Sequence, residues 1–128
     1  MDPIAEQIIM LMKQVGKFAH SRIPRKGDKD AYVYGLKACI SLASQDVINI
    51  DALKRNIEIS RVMAYDFKRK LFMTARPQEY YEMAHDHALD AVNSVNDRFV
   101  AGFTNSAPQM YGDRGTPISS EEDIFGTE

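Results

Sequence analysis

Four segments of the chain repeat apolar residues at steps of three and four. Ile4, Ile8, Leu11, Val15 and Phe18 form the first series, and Val33, Leu36, Ile40, Ala43, Val47 and Ile50 the second. Leu53, Ile57, Ala64, Phe67 and Leu71, with Ser60 in register, form the third, and Tyr81, Ala84, Ala88, Val92, Val95 and Phe99 the fourth. Such steps stack side chains on one stripe of an α-helix. No segment alternates with period two over more than a few residues, so the pattern assigns no strands.

Polar residues and prolines between the stripes set the expected boundaries. Asp2 can cap a first helix with Pro3 in its first turn, where an N–H is dispensable. Pro24 closes that helix or the turn after it, and Asp28 is the expected cap of the second. Asn49 or Asp51 marks the break before the third, and Thr74 caps the fourth, with Pro77 in its first turn. Short links between four helices imply an all-α, up-down-up-down four-helix bundle over residues 1–104. Residues 105–128, rich in Pro, Gly, Ser and acid, read as a flexible tail. Ile9, Met12, Ile59, Met63, Phe72 and Phe103 fall off the stripes. An apolar excess of this kind points to contacts between copies.

Charge changes the picture more than composition does. The 128 residues carry a net charge of −2, yet residues 13–37 and 54–76 each sum to +5, while helix 4 and the tail are acidic. In the expected topology the first and third links share one end of the bundle. Arg22, Arg25, Lys26 and Lys29 then meet Lys68, Arg69, Lys70 and Arg76 at one pole. Lys54, Arg61 and Lys68 add a basic line at heptad spacing along helix 3. Concentrated base on one pole and one face is the footprint of a polyanion site. Alternatively the bases only solvate helix surfaces, with Glu58 pairing to Lys54 or Arg61.

Candidate chemistry narrows the function further. His85 and His87 in HDHALD are two apart, on different helix faces, and read as a surface polar patch rather than a metal site, which needs ligands at i, i+3 or i+4. Cys39, the single cysteine, borders the second stripe as a buried, inert thiol. No phosphate-binding glycine loop and no nucleophile–base motif is legible, so neither an enzyme nor a cofactor is expected. The acidic N-terminus is unlike a signal peptide, and QIIMLM is too short to span a bilayer. A soluble, cytoplasmic chain with no membrane partner is the expectation.

Four stretches carry a resemblance: HSRIPRK at the end of helix 1, GLKACISLASQ in helix 2, RVMAYDFKRKLF late in helix 3 and EYYEMAHDHALDAVNSVNDRFVAGF in helix 4. In order and spacing over residues 5 to 104, the chain resembles the accessory variability determinant proteins of diversity-generating retroelements. The family's Pro-Lys/Arg turn corresponds to Ile23-Pro24-Arg25, its basic third helix to Arg61–Leu71, and its last link and helix end to Arg76-Pro77 and Gly102-Phe103. Family members tend to be strongly basic, whereas this chain is acidic overall. The resemblance implies a homopentameric barrel of four-helix bundles without an active site. It implies binding to the element's reverse transcriptase and to template-repeat RNA or cDNA in mutagenic retrohoming. A helical-bundle interaction protein, like those encoded in ribosomal RNA intervening sequences, is the alternative.

Overall fold

The computed structural model describes residues 1–66 and 71–105. Four helices follow in chain order: α1 (Pro3–His20), α2 (Lys26–Ala43), α3 (Ile50–Arg61) and α4 (Ala75–Asn105). Between α3 and α4 lies a two-residue antiparallel ladder, β1 (Tyr65–Asp66) with β2 (Leu71–Phe72), in which Tyr65 pairs with Phe72 and Asp66 with Leu71. The architecture is four-helical. No helix among the described residues is long and apolar enough to cross a membrane. Most of the expected tail, residues 106–128, lies outside the described residues.

The ends of the helices follow from local chemistry. Asp2 caps α1, its Oδ1 accepting from the Ile4 amide (2.8 Å) and its Oδ2 from the Ile48 amide (3.1 Å). One carboxylate thus caps a helix and pins the α2–α3 link. Those two amide bonds, Ile48's the stronger influence, hold its pKa below the ordinary value. Asn49 caps α3 through the Ala52 amide (2.9 Å), and the Thr74 carbonyl takes the Gln78 amide at the start of α4 (3.0 Å).

Three sequence expectations are corrected here. Asp28 does not cap α2: the helix already begins at Lys26, Arg25 holds the cap position without a side-chain bond, and Asp28 is buried inside the first turn. α2 stops at Ala43, so Val47 leaves the core entirely, 81% exposed. The third stripe does not run on to Leu71. α3 ends at Arg61, the chain turns extended, and the Met73 amide closes the ladder onto the Ala64 carbonyl (2.8 Å).

The packing departs from a symmetric bundle. α2 and α4 run parallel and form the central pair, with α1 and α3 antiparallel on opposite flanks. No Cα of α1 comes within 8 Å of one in α3. Small residues allow the close diagonal. Ala31, Gly35, Cys39 and Ala43 of α2 and Ala84, Ala88 and Ala91 of α4 are all buried. A Cβ on Gly35 would lie 2.8 Å from the Tyr81 carbonyl oxygen. The main core joins Ile8, Met12, Leu53, Ile57, Val92 and Val95 across α1, α3 and α4. Ile9 and Met12, expected off the stripe, are buried in it, because α1 packs against two helices and needs a wider apolar face than an a/d seam. Ile59, Met63 and Phe72 are exposed as the pattern implied, while the Phe103 side chain lies outside what is described.

Candidate nucleic-acid interface

The topology brings the α1–α2 turn, the end of α3 and the start of α4 to one pole. Ile23 is buried there with Tyr32 and Ala84, and Ala64 with Ala31 and Tyr81. Two apolar clusters therefore position the turn that carries Arg22, Arg25 and Lys26.

These bases are not equivalent. The Arg22 guanidinium lies 3.5 Å over the centre of the Phe18 ring, and its Nη1 donates to the Phe18 carbonyl (3.3 Å). Lys29 Nζ donates to the His20 carbonyl (3.0 Å), placing a cation at the C-terminus of α1 where the helix dipole favours it. Lys26 pairs with Asp30 at 3.1 Å, but both side chains are largely exposed, so the pair holds Lys26 weakly. Arg25 is exposed and without a partner among the described residues.

Arg76 and Arg61 pair with acids of other helices, although the Arg76 side chain stays 53% exposed. Arg76 Nε donates to Asp28 Oδ2 (3.0 Å), tying the first turn of α4 to that of α2. The hydrogen bond and then the charge of Asp28 push the Arg76 pKa above its ordinary value. Arg61 reaches Asp86 (2.9 Å) and Glu82 (3.7 Å) on α4 rather than Glu58. α3 ends at Arg61, so of the expected heptad line only Lys54 and Arg61 lie on it. Lys54 sits half-buried one turn into α3, towards the opposite end of the bundle. Lys68, Arg69 and Lys70 lie outside the described residues, on the link between β1 and β2.

The exposed bases crowd a helix end that disfavours them. The N-terminus of α2 carries the positive end of the helix dipole, and the exposed Arg25 and Lys26 stand at it. Lys29 reaches back to the C-terminus of α1. The acid in that turn, Asp28, is turned inward to Arg76. Free first-turn amides flanked by cations are the kind of arrangement that favours an anion.

The two histidines are not a surface patch. His85 is fully buried. Its Nδ1 donates to the Tyr81 carbonyl (2.8 Å), which leaves Nε2 to accept from Ser60 Oγ (2.8 Å). Ser60 and His85 thus have the spacing of a nucleophile and a base. The Tyr81 ring packs 4.5 Å from the imidazole and its hydroxyl lies 3.4 Å from Ser60 Oγ, so the three side chains tie the end of α3 to α4. His87 turns the other way, to the Tyr32 hydroxyl of α2 at 2.7 Å. Burial holds both imidazoles below their ordinary pKa and raises that of the Tyr32 phenol. Cys39 is buried as expected, and burial pushes its thiol up to about 12. Among the described residues no group of three or more His, Cys, Asp or Glu is placed to hold a metal ion.

Sequence reasoning missed two roles. Asp28 is the inward anchor for Arg76, and Phe18, assigned to the core stripe, is 39% exposed beneath Arg22. The i, i+4 spacing of Phe18 and Arg22 was the available signal for the second.

What the described residues define is a four-helix bundle with exposed bases, Arg22, Arg25 and Lys26, at one pole. The chain matches no family model, no curated protein and no solved structure.

Proposed function

We propose that this chain is a non-catalytic accessory protein of a diversity-generating retroelement, one that binds nucleic acid and the element's reverse transcriptase through its basic pole. The observation that carries the reading is the set of exposed bases at the N-terminus of α2. Arg25 and Lys26 oppose the helix dipole there, a placement that costs stability in the free protein and is relieved by a bound phosphate. The order of helices and turns that the family resemblance implies agrees with this use. Template-repeat RNA or cDNA is the polyanion the reading assigns, and the polymerase the protein partner, in the cytoplasm.

Self-association belongs to the same proposal. Ile59, Val62 and Met63 at the end of α3 and Phe72 on β2 are each more than half exposed. Apolar surface concentrated in one stretch of chain suits burial against further copies, five in the family's barrel. Engagement of Arg61 and Arg76 within the fold favours the second reading, a bundle protein whose bases serve its own packing.

The double variant Arg25→Glu with Lys26→Glu separates the two. Binding of the full chain to single-stranded RNA, followed by fluorescence anisotropy at two salt concentrations, should fall by more than tenfold, as should co-purification with the reverse transcriptase. The helical circular dichroism should stay as in the wild type. Unchanged binding in both assays would falsify the polyanion reading.

A further inference from the structure

We propose that the Phe18–Arg22 stack is a seat for an unpaired nucleobase, so that the basic pole takes single-stranded nucleic acid in preference to duplex. This rests on the polyanion reading above and adds to it the form of the strand.

Phe18 lies on the last full turn of α1, still 39% exposed although Arg22 lies over it. Tyr32 and Tyr81 of this end are buried, whereas Phe18 stays partly open and has the Arg22 guanidinium over its ring. The guanidinium carbon sits 3.5 Å above the ring centre, a stacking distance. Nη1 donates in the plane of the guanidinium to the Phe18 carbonyl (3.3 Å) and to Ser21 Oγ (3.4 Å). Ser21 Oγ itself donates to the same carbonyl (2.8 Å). One face of Arg22 is therefore backed by a ring, one edge is fixed by hydrogen bonds, and the side chain is otherwise exposed.

The backbone beneath is fixed too. The Arg22 amide donates to the Ala19 carbonyl (3.0 Å) and the Ile23 amide to the His20 carbonyl (3.2 Å). Ile23 is anchored in the cluster with Tyr32 and Ala84. A plane held in this way loses little entropy when a second flat group covers it. Arginine planes and aromatic rings are the surfaces on which unpaired bases stack, whereas in a duplex each base face is already covered by its neighbours. Arg25 and Lys26 follow within four residues at the mouth of α2, where the phosphates flanking a seated base can reach them.

The test uses the full chain and one RNA sequence of about a dozen nucleotides, as a single strand carrying a 2-aminopurine and as a duplex. Wild-type protein should bind the single strand about tenfold tighter than the duplex and change the 2-aminopurine emission. Arg22→Lys keeps the charge and removes the plane. It should lose about that tenfold on the single strand, abolish the emission change, and lower duplex affinity far less. Phe18→Leu, which removes the backing ring, should act in the same direction with the helical signal retained. Equal wild-type affinity for both forms, or an Arg22→Lys protein that binds the single strand as well as wild type, would overturn the stacking seat. If the pair Arg25→Glu and Lys26→Glu still abolished binding of both forms, the polyanion reading would stand without the seat. If neither form bound the wild-type protein, that reading would fall first.

Discussion

At the scale of single residues, burial decides what each polar group can do. Asp28 and Asp30 are two apart in the first turns of α2, yet one is buried against Arg76 and the other exposed beside Lys26. His85 and His87 divide in the same way, one towards α3 and one towards α2. The consequence of burying neutral imidazoles is a dependence of stability on pH. Unfolded histidines take up a proton near pH 6.5, while burial keeps the folded ones below that value. Where the two states differ, the unfolded chain binds more protons, so stability is full above about pH 6.5 and declines as pH falls below it. For His85 alone the slope can reach about 1.4 kcal/mol per pH unit. Urea denaturation at pH 7.5, 6.5 and 5.5 should show this decline. His85→Asn, which retains a donor for the Tyr81 carbonyl, should be less stable at pH 7.5 and lose a substantial part of the pH dependence. An equally steep decline in the variant would assign the acid sensitivity elsewhere.

At the scale of elements, α2 carries two conflicts, and each has a physical cause. Its N-terminus lacks a side-chain cap and is crowded with base, which local helix chemistry disfavours. Its middle contains Gly35, a poor helix former, because α4 passes too close for any Cβ. Gly35→Ala should therefore cost about 1–3 kcal/mol despite alanine's better propensity, since the obstacle at 2.8 Å is the Tyr81 backbone oxygen and not a movable side chain. Gly27→Ala in the same helix meets nothing within 4 Å and should gain about 0.5 kcal/mol. Thermal melts of the two variants should thus shift in opposite directions. A gain for Gly35→Ala as well would mean that the α2–α4 approach is looser than 2.8 Å at the Tyr81 oxygen.

At the scale of the whole molecule, α4 sets the proportions. Its 31 residues span about 46 Å against about 27 Å for the 18 of α1. α1 and α3 both end at the basic pole, and the exposed Ile59, Val62, Met63 and Phe72 gather near that end. If this surface joins copies, light scattering at micromolar concentration should return a mass several times 14.5 kDa, about fivefold for a pentamer. Val62→Asp with Met63→Asp should reduce it to the monomer without loss of helix. A monomeric wild-type protein would remove the barrel from the proposed function and leave the proposed nucleic-acid binding to be judged by its own test.

Elements that depend on local pattern were legible in the chain alone. Steps of three and four placed α1, most of α2 and the buried length of α4 from Tyr81 to Val95, because helical periodicity is a property of neighbours in sequence. The cap Asp2 was legible for the same reason, since it acts within three residues. The pattern left the break before α3 between Asn49 and Asp51, and the cap is Asn49. Tertiary structure decided the rest. Which flank of α2 is buried depends on α4 approaching along Ala31, Gly35, Cys39 and Ala43, and small residues give a hydropathy pattern little to register. The end of α3 depends on a ladder closed by Met73, nine residues beyond Ala64. Composition could name the bases of the pole but could not sort them. Arg76 and Arg61 are spent on acids 48 and 25 residues away in sequence, whereas Arg22, Arg25 and Lys26 face solvent. Only the folded chain brings those distant acids within hydrogen-bond range, and that proximity separates bases paired by the bundle from bases left without an acid of another helix.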